Sequence, residues 1–302
     1  MEKIQTHFEN EDEKLALVRS GDEAFAQRLG ATVSAIAERG DLRIVTVSGP
    51  TCSGKTTASA KLEQALCQHG HRVHVISIDD FFLDRDFLLA RAERLGRSLD
   101  FDSPDTLDFD ALSLSVEQIF SGGTVTLPRF DFAEGKRRGY RRIETMPSDV
   151  YLFEGIQAVY PSVTSFFLGH PYASVYISVG VDAACPGASF AREDIRFLRR
   201  LVRDARFRAA SPEFTFRLWE TVRENELRNI LPYADNADHS ICSYLPYELH
   251  MIRPYAEELL SEIGRESRYF SEASRLCEML SYVPPISDAY LQRDSLFREF
   301  LG

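Results

Sequence analysis

Gly49-Pro50-Thr51-Cys52-Ser53-Gly54-Lys55-Thr56 decides how this chain is read. The stretch fits G-x-x-x-x-G-K-[ST], a loop whose backbone N–H groups wrap phosphate oxygens. Its flanks fit the same purpose. Leu42 to Ser48 is a short β-branched run that reads as a buried strand, and Thr57 to His69 carries Ala58, Leu62, Ala65 and Leu66 at helical spacing. Strand, glycine loop and helix bring a helix N-terminus to face negative charge. In this reading Gly49, Pro50, Thr51, Cys52, Ser53, Gly54, Lys55, Thr56 and the adjoining Thr57 contact a nucleoside triphosphate. Lys55 reaches the β- and γ-phosphates and the Thr56 hydroxyl ligates Mg²⁺. Cys52, at a helix N-terminus, is expected to be a reactive thiol whose alkylation blocks ATP.

Working outward, further strands are expected at residues 72–78, 149–155, 174–179 and 238–242. Ligands of open parallel sheets bind beyond the carboxyl ends of the strands. The second strand runs into Asp79-Asp80-Phe81-Phe82 and the third ends in Glu154. Asp79 there can take a proton from an attacking hydroxyl or hold Mg²⁺ through water, and Glu154 can hold or orient Mg²⁺. The acidic turn Asp100 to Asp105 can accept hydrogen bonds from sugar hydroxyls or serve as a helix cap. Thr124 to Arg142 reads as a β-hairpin off the sheet, with a basic cluster around Arg137. Arg196, Arg199, Arg200 and Arg203 share one face of a helix over residues 192–208, opposite Leu198, Leu201 and Val202. Such a stripe suits a lid that brings positive charge to the transferring phosphoryl group.

The 302 residues suit one large α/β domain with additions. We expect a helical N-terminal extension over residues 1–40. The phosphate-loop domain follows over 41–302, with the lid near 190–210 and a C-terminal tail that docks on the surface. The five cysteines form no C-x-x-C pair, which argues for reduced thiols in a cytoplasm, and the polar N-terminus does not read as a signal peptide. No apolar run reaches the ~18 residues of a membrane span. A net charge of −11 argues against nucleic acid as a partner, leaving a small-molecule substrate; a homo-oligomer is compatible with the composition. Asn-Lys-x-Asp and Asp-x-x-Gly are both absent, which speaks against a GTPase.

Six blocks in this order resemble the uridine kinase family, within the uridine kinase and phosphoribulokinase group. They are the loop at 49–56, Ser77 to Phe82, Phe101 to Asp105, Leu127 to Phe132, Phe153 to Ile156, and Arg196 to Asp204. Trp219 to Arg223, Leu231 to Tyr233, Tyr247 to Leu249 and Arg298 to Gly302 resemble a bacterial nucleoside kinase subgroup. The resemblance implies a three-layer α/β/α phosphate-loop fold with a mostly parallel sheet. It also implies transfer of the γ-phosphoryl of ATP to the 5′-hydroxyl of a nucleoside. It assigns Asp79 to catalysis and Thr56 and Glu154 to Mg²⁺; the residues themselves add Lys55 to catalysis and Asp79 to Mg²⁺. Asp102 is assigned to the ribose hydroxyls, Phe82, Phe130 and Arg137 to the acceptor, and Arg196, Arg199 and Arg203 to the lid. Two positions depart from well-known uridine–cytidine kinases: Phe130 stands for a tyrosine and Gly135 for a histidine that contact the pyrimidine edge. A site without edge partners discriminates poorly between bases. Uridine, cytidine, another nucleoside, or a sugar or sugar phosphate all stay open as acceptors, as does a nucleotide sensor without transfer.

Overall fold

The structure, a computed structural model, describes residues 1–96 and 100–302. Five strands form the central sheet: β1 (Ile44–Ser48), β2 (Arg72–Ser77), β3 (Asp149–Glu154), β4 (Tyr172–Ser178) and β5 (His239–Cys242). Their order is β5-β4-β1-β3-β2, and every neighbouring pair is parallel. All carboxyl ends therefore lie along one edge, and the chain's connections diverge to either side of β1.

Side-chain alternation builds the layers on each face of the sheet. Val45, Val47, Val150, Leu152, Val175 and Ile177 pack with the helices Glu11–Ala37, Lys55–Gln68, Arg192–Arg208 and Glu248–Ser261. Ile44, Tyr151, Phe153 and Tyr176 belong to a second cluster with the helix Phe109–Ser121 and the hairpin residues Val125 and Leu127. The result is a three-layer α/β/α phosphate-loop fold. The expected hairpin is present as Gly123–Asp131 paired antiparallel with Lys136–Thr145. No described helix is long and apolar enough to cross a membrane.

Two expectations change on contact with the structure. The helix Glu11–Ala37 buries Val18, Phe25, Leu29, Val33 and Ile36 in the same cluster as β1, so this stretch is a wall of the core as much as an extension of it. The C-terminal stretch does not dock on the surface. Leu296, Phe297, Phe300 and Leu301 are buried in that same cluster, each worth ~1.5–3 kcal/mol of transfer free energy. Ahead of the acidic turn lies the helix Arg85–Arg94, and residues 97–99 between the two lie outside the described residues.

Candidate active site

β1 runs directly into the glycine loop, and the loop into the helix Lys55–Gln68. Gly49 is needed because a Cβ there would lie 2.0 Å from the Ile177 carbonyl of β4. Pro50 offers its carbonyl to Lys55 Nζ at 3.0 Å. Ser53 is fully buried and its Oγ has no hydrogen-bond partner among the described residues. Burial pushes the Lys55 ammonium below its ordinary range, against the pull of Glu154, Glu299, Cys52 and Asp79. Cys52 is buried, with φ at +58°, whereas Cys67 is exposed. The thiol expected to be reactive is therefore covered, and another one is open.

Ser77 ends β2 directly opposite Glu154 at the end of β3, and its hydroxyl donates to Glu154 Oε1 at 3.1 Å. The two aspartates that follow divide their work. Asp80 Oδ1 accepts the Phe130 N–H at 3.0 Å and ties the hairpin down. Asp79 faces the cavity, and Gln157 Nε2 donates to its Oδ1 at 2.9 Å. Burial raises the pKa of both Asp79 and Glu154, opposed by Gln157 and Lys55 for the first and chiefly by Lys55 for the second.

Lys55, Thr56, Asp79 and Glu154 line a cavity of about 480 Å³ together with Thr51 and Cys52. Asp102, Phe82, Phe130, Phe132 and Arg85 line it too. The three phenylalanines meet edge to face, with centroids 5.3–6.3 Å apart. Burial, then Asp100 and Asp79, lift the Asp102 carboxyl to about 6. Tyr160 and Asn225, both unread in the sequence, hold the acidic turn. The Tyr160 hydroxyl donates to the Asp102 carbonyl at 2.7 Å, and Asn225 Nδ2 donates to Asp100 Oδ2 at 3.3 Å.

Arg137 is not brought to this cavity. Its guanidinium donates to Asp108 Oδ2 at 2.8 Å, beside a smaller hollow formed with Leu83, Asp84 and Phe87. The space at Gly135 is taken by Arg85: a Cβ at Gly135 would lie 2.6 Å from Arg85 Nε, and φ there is +67°. Arg85 Nη2 donates to the Phe132 carbonyl at 2.7 Å.

The arginine helix also differs from a bare stripe. Arg196 is buried on Glu226, with Nη1 3.1 Å from Oε2, and its Nε donates to the Thr51 carbonyl at 3.0 Å. Arg199 is fully buried in a bidentate pair with Glu248, at 2.6 and 2.9 Å, and donates to the Cys52 carbonyl at 3.1 Å. These two guanidiniums brace the back of the phosphate loop, because carboxylates from later helices already neutralise them. Leu198, Leu201 and Val202 are buried as well, so the helix is fixed in the core on both sides. Arg200 and Arg203 share Asp204 and reach the cavity, as does Arg208. Of the three arginines assigned to the lid, only Arg203 lines the cavity, where Arg200 and Arg208 join it.

The model of the phosphoribulokinase / uridine kinase family matches residues 44–247, from β1 to just past β5. The chain belongs to this family. It is 27% identical over 196 residues to a uridine kinase of Deinococcus deserti, covering 65% of this chain and 84% of that one. It is 29% identical over 170 residues to a uridine kinase of Lactobacillus johnsonii, covering 56% and 71%. A solved structure described as a possible uridine kinase from Bacillus stearothermophilus aligns with a TM-score of 0.48 at 20% identity, covering 72% of this chain and 98% of that one. The family member described here is a phosphotransferase with a hydroxyl acceptor, as the loop, the carboxylates and the family match together indicate.

Proposed function

We propose that the protein transfers the γ-phosphoryl group of ATP to the 5′-hydroxyl of a nucleoside, uridine or cytidine, giving the nucleoside monophosphate and ADP. One observation carries this reading. The phosphate-loop residues Lys55 and Thr56, the carboxylates Asp79 and Glu154, and the acceptor-side residues Asp102, Phe82 and Phe130 all line the same cavity. The uridine kinase relatives support it.

In this reading the acceptor's base lies against Phe82 and Phe130, and ionised Asp102 accepts hydrogen bonds from the ribose hydroxyls. Asp79 takes the proton of the attacking hydroxyl. Its raised pKa makes it a better base than an exposed aspartate, and Gln157 fixes its orientation. Lys55, Arg200 and Arg203 offset the charge that builds on the transferring group. The donor set suits Mg²⁺, because Thr56, Asp79 and Glu154 offer only hard oxygens. The like-charged, buried pair Asp79 and Glu154 also gains from a cation beside it. When bound, Mg²⁺ would neutralise phosphate charge; Thr56 and Glu154 would hold it, with Asp79 beside them.

A second acceptor class is favoured by one feature. Arg85 lines the cavity without a carboxylate partner among the described ion pairs, which suits an acceptor that already carries a phosphate. The test is ADP release from Mg-ATP with uridine, cytidine, other nucleosides, sugars and sugar phosphates, repeated with Asp79→Asn. Turnover with a pyrimidine nucleoside that falls by ~10²–10⁴ in Asp79→Asn, with ATP still bound, is expected. Turnover with a sugar phosphate alone would replace the acceptor, and unchanged turnover in the variant would remove Asp79 as base.

A further inference from the structure

The C-terminal helix Arg298–Leu301 delivers a carboxylate to the phosphate loop. Glu299 Oε2 accepts the Thr57 backbone N–H at 3.3 Å and the Thr57 hydroxyl at 3.1 Å. Thr57 is the third residue of the loop's helix, so its N–H has no partner within that helix. It is one of the donors that such a loop turns toward the α- and β-phosphates. Glu299 also lines the cavity with Lys55 and Thr56. A carboxylate at a helix N-terminus is bound as an anion would be.

The backbone that carries Glu299 is anchored. Phe297 and Phe300 are fully buried, and Leu296 lies so close to the loop that a Cβ at Gly54 would be 2.7 Å from its Cδ1. The Glu299 side chain itself is only half-buried and can turn away while its helix stays in place.

From this arrangement we infer that Glu299 is a tethered phosphate mimic, an autoinhibitory contact that a polyphosphate must displace from Thr57 before it seats in the loop. The inference rests on the reading of the cavity as an ATP site. Two like-charged acceptors compete for the same donors, so binding carries the cost of removing the first. The loop in turn keeps its donors satisfied when no nucleotide is bound, which guards it against collapse or stray anions.

The test compares wild type, Glu299→Gln and Glu299→Ala as full chains, by calorimetric titration with Mg-ATP and with inorganic tripolyphosphate at low and high salt. Glu299→Gln keeps the shape and removes the charge. It should bind both ligands about tenfold more tightly at low salt, with the gain shrinking at high salt. Glu299→Ala should move in the same direction, and if it fails to fold, the glutamine variant decides. Equal or weaker affinity in Glu299→Gln would overturn the inference and make Glu299 a support of the loop. Wild-type turnover of a nucleoside alongside such a result would leave the proposed function standing alone. Tighter tripolyphosphate binding in Glu299→Gln with no turnover of any acceptor would leave the inference standing without the proposed function. Failure of wild type and Glu299→Gln alike to bind either ligand would sink both.

Discussion

Replacing Glu248 by glutamine removes one charge from the most enclosed of the described ion pairs and leaves its shape intact. Arg199 is 0% exposed and Glu248 1%. The carboxylate takes two hydrogen bonds from the guanidinium and one from the Leu245 N–H at 3.0 Å. Arg199 keeps its charge in the variant, because a guanidinium is not deprotonated in a protein, but it loses the carboxylate that holds its pKa up against burial. A buried pair broken at one partner costs about 3–5 kcal/mol. With an unfolding entropy of ~2.1 cal/mol/K per residue over this chain, that lowers the melting temperature by about 5–8 °C. A thermal melt followed by circular dichroism reads the shift. The double variant Arg199→Met/Glu248→Leu separates stability from function. It removes the unpaired charge and should recover most of the loss. It also removes the donor to the Cys52 carbonyl, which holds a non-glycine residue at φ +58°, a conformation that costs ~1–2 kcal/mol. Mg-ATP affinity in the double variant should stay weakened about tenfold or more. A melting temperature for Glu248→Gln within about 1 °C of wild type would refute the reasoning.

Other consequences are as direct. With its carboxyl lifted to about 6 from 3.8, Asp102 stays protonated in the folded chain over a window where the unfolded chain has lost the proton. The contribution of this group to stability therefore falls as pH rises from about 4 to 6, and Asp102→Asn should stabilise the protein at neutral pH by about 1–3 kcal/mol. The acceptor kcat/KM of the wild type should fall as pH drops through about 6; a pH profile flat across that range would deny Asp102 its part in acceptor binding. Gly135→Ala places a Cβ against the Arg85 guanidinium at φ +67°, so it should cost about 1–3 kcal/mol and raise the acceptor KM, measured by melting and by steady-state rates. A thiol reagent should label exposed Cys67 before buried Cys52, and peptide mapping after limited labelling checks the order; early labelling of Cys52 would show that the loop opens.

The sheet was legible because four of its five strands are short β-branched or aromatic runs, and parallel pairing puts their ends together. Asp79 and Glu154 followed from that one rule. Asp80 did not divide from Asp79 in the sequence, because its partner is the Phe130 N–H, fifty residues on. The arginine helix was legible as a helix but not as a buried one. Four arginines at helical spacing read as a charged face, and only the fold shows that Glu226 and Glu248 arrive from other helices to meet two of them. Gln157, Tyr160 and Asn225 carry no motif; they matter only through what they touch. The C-terminal stretch misled for a related reason: a few apolar residues after a Pro-Pro turn look like a tail unless a cavity in the core awaits them.

The embedding of Leu296–Leu301 behind the loop has a consequence for how the protein comes into being. The loop emerges from the ribosome some 240 residues before Leu296, a delay of roughly 10–50 s at ordinary rates of synthesis. During that interval Gly54 lacks the leucine that packs on it and Thr57 lacks its carboxylate. The braces from Arg199 and Glu248 also arrive in the later part of the chain. Assembly of the catalytic pocket is therefore a late event of biogenesis, scheduled by the position of its last structural parts in the gene.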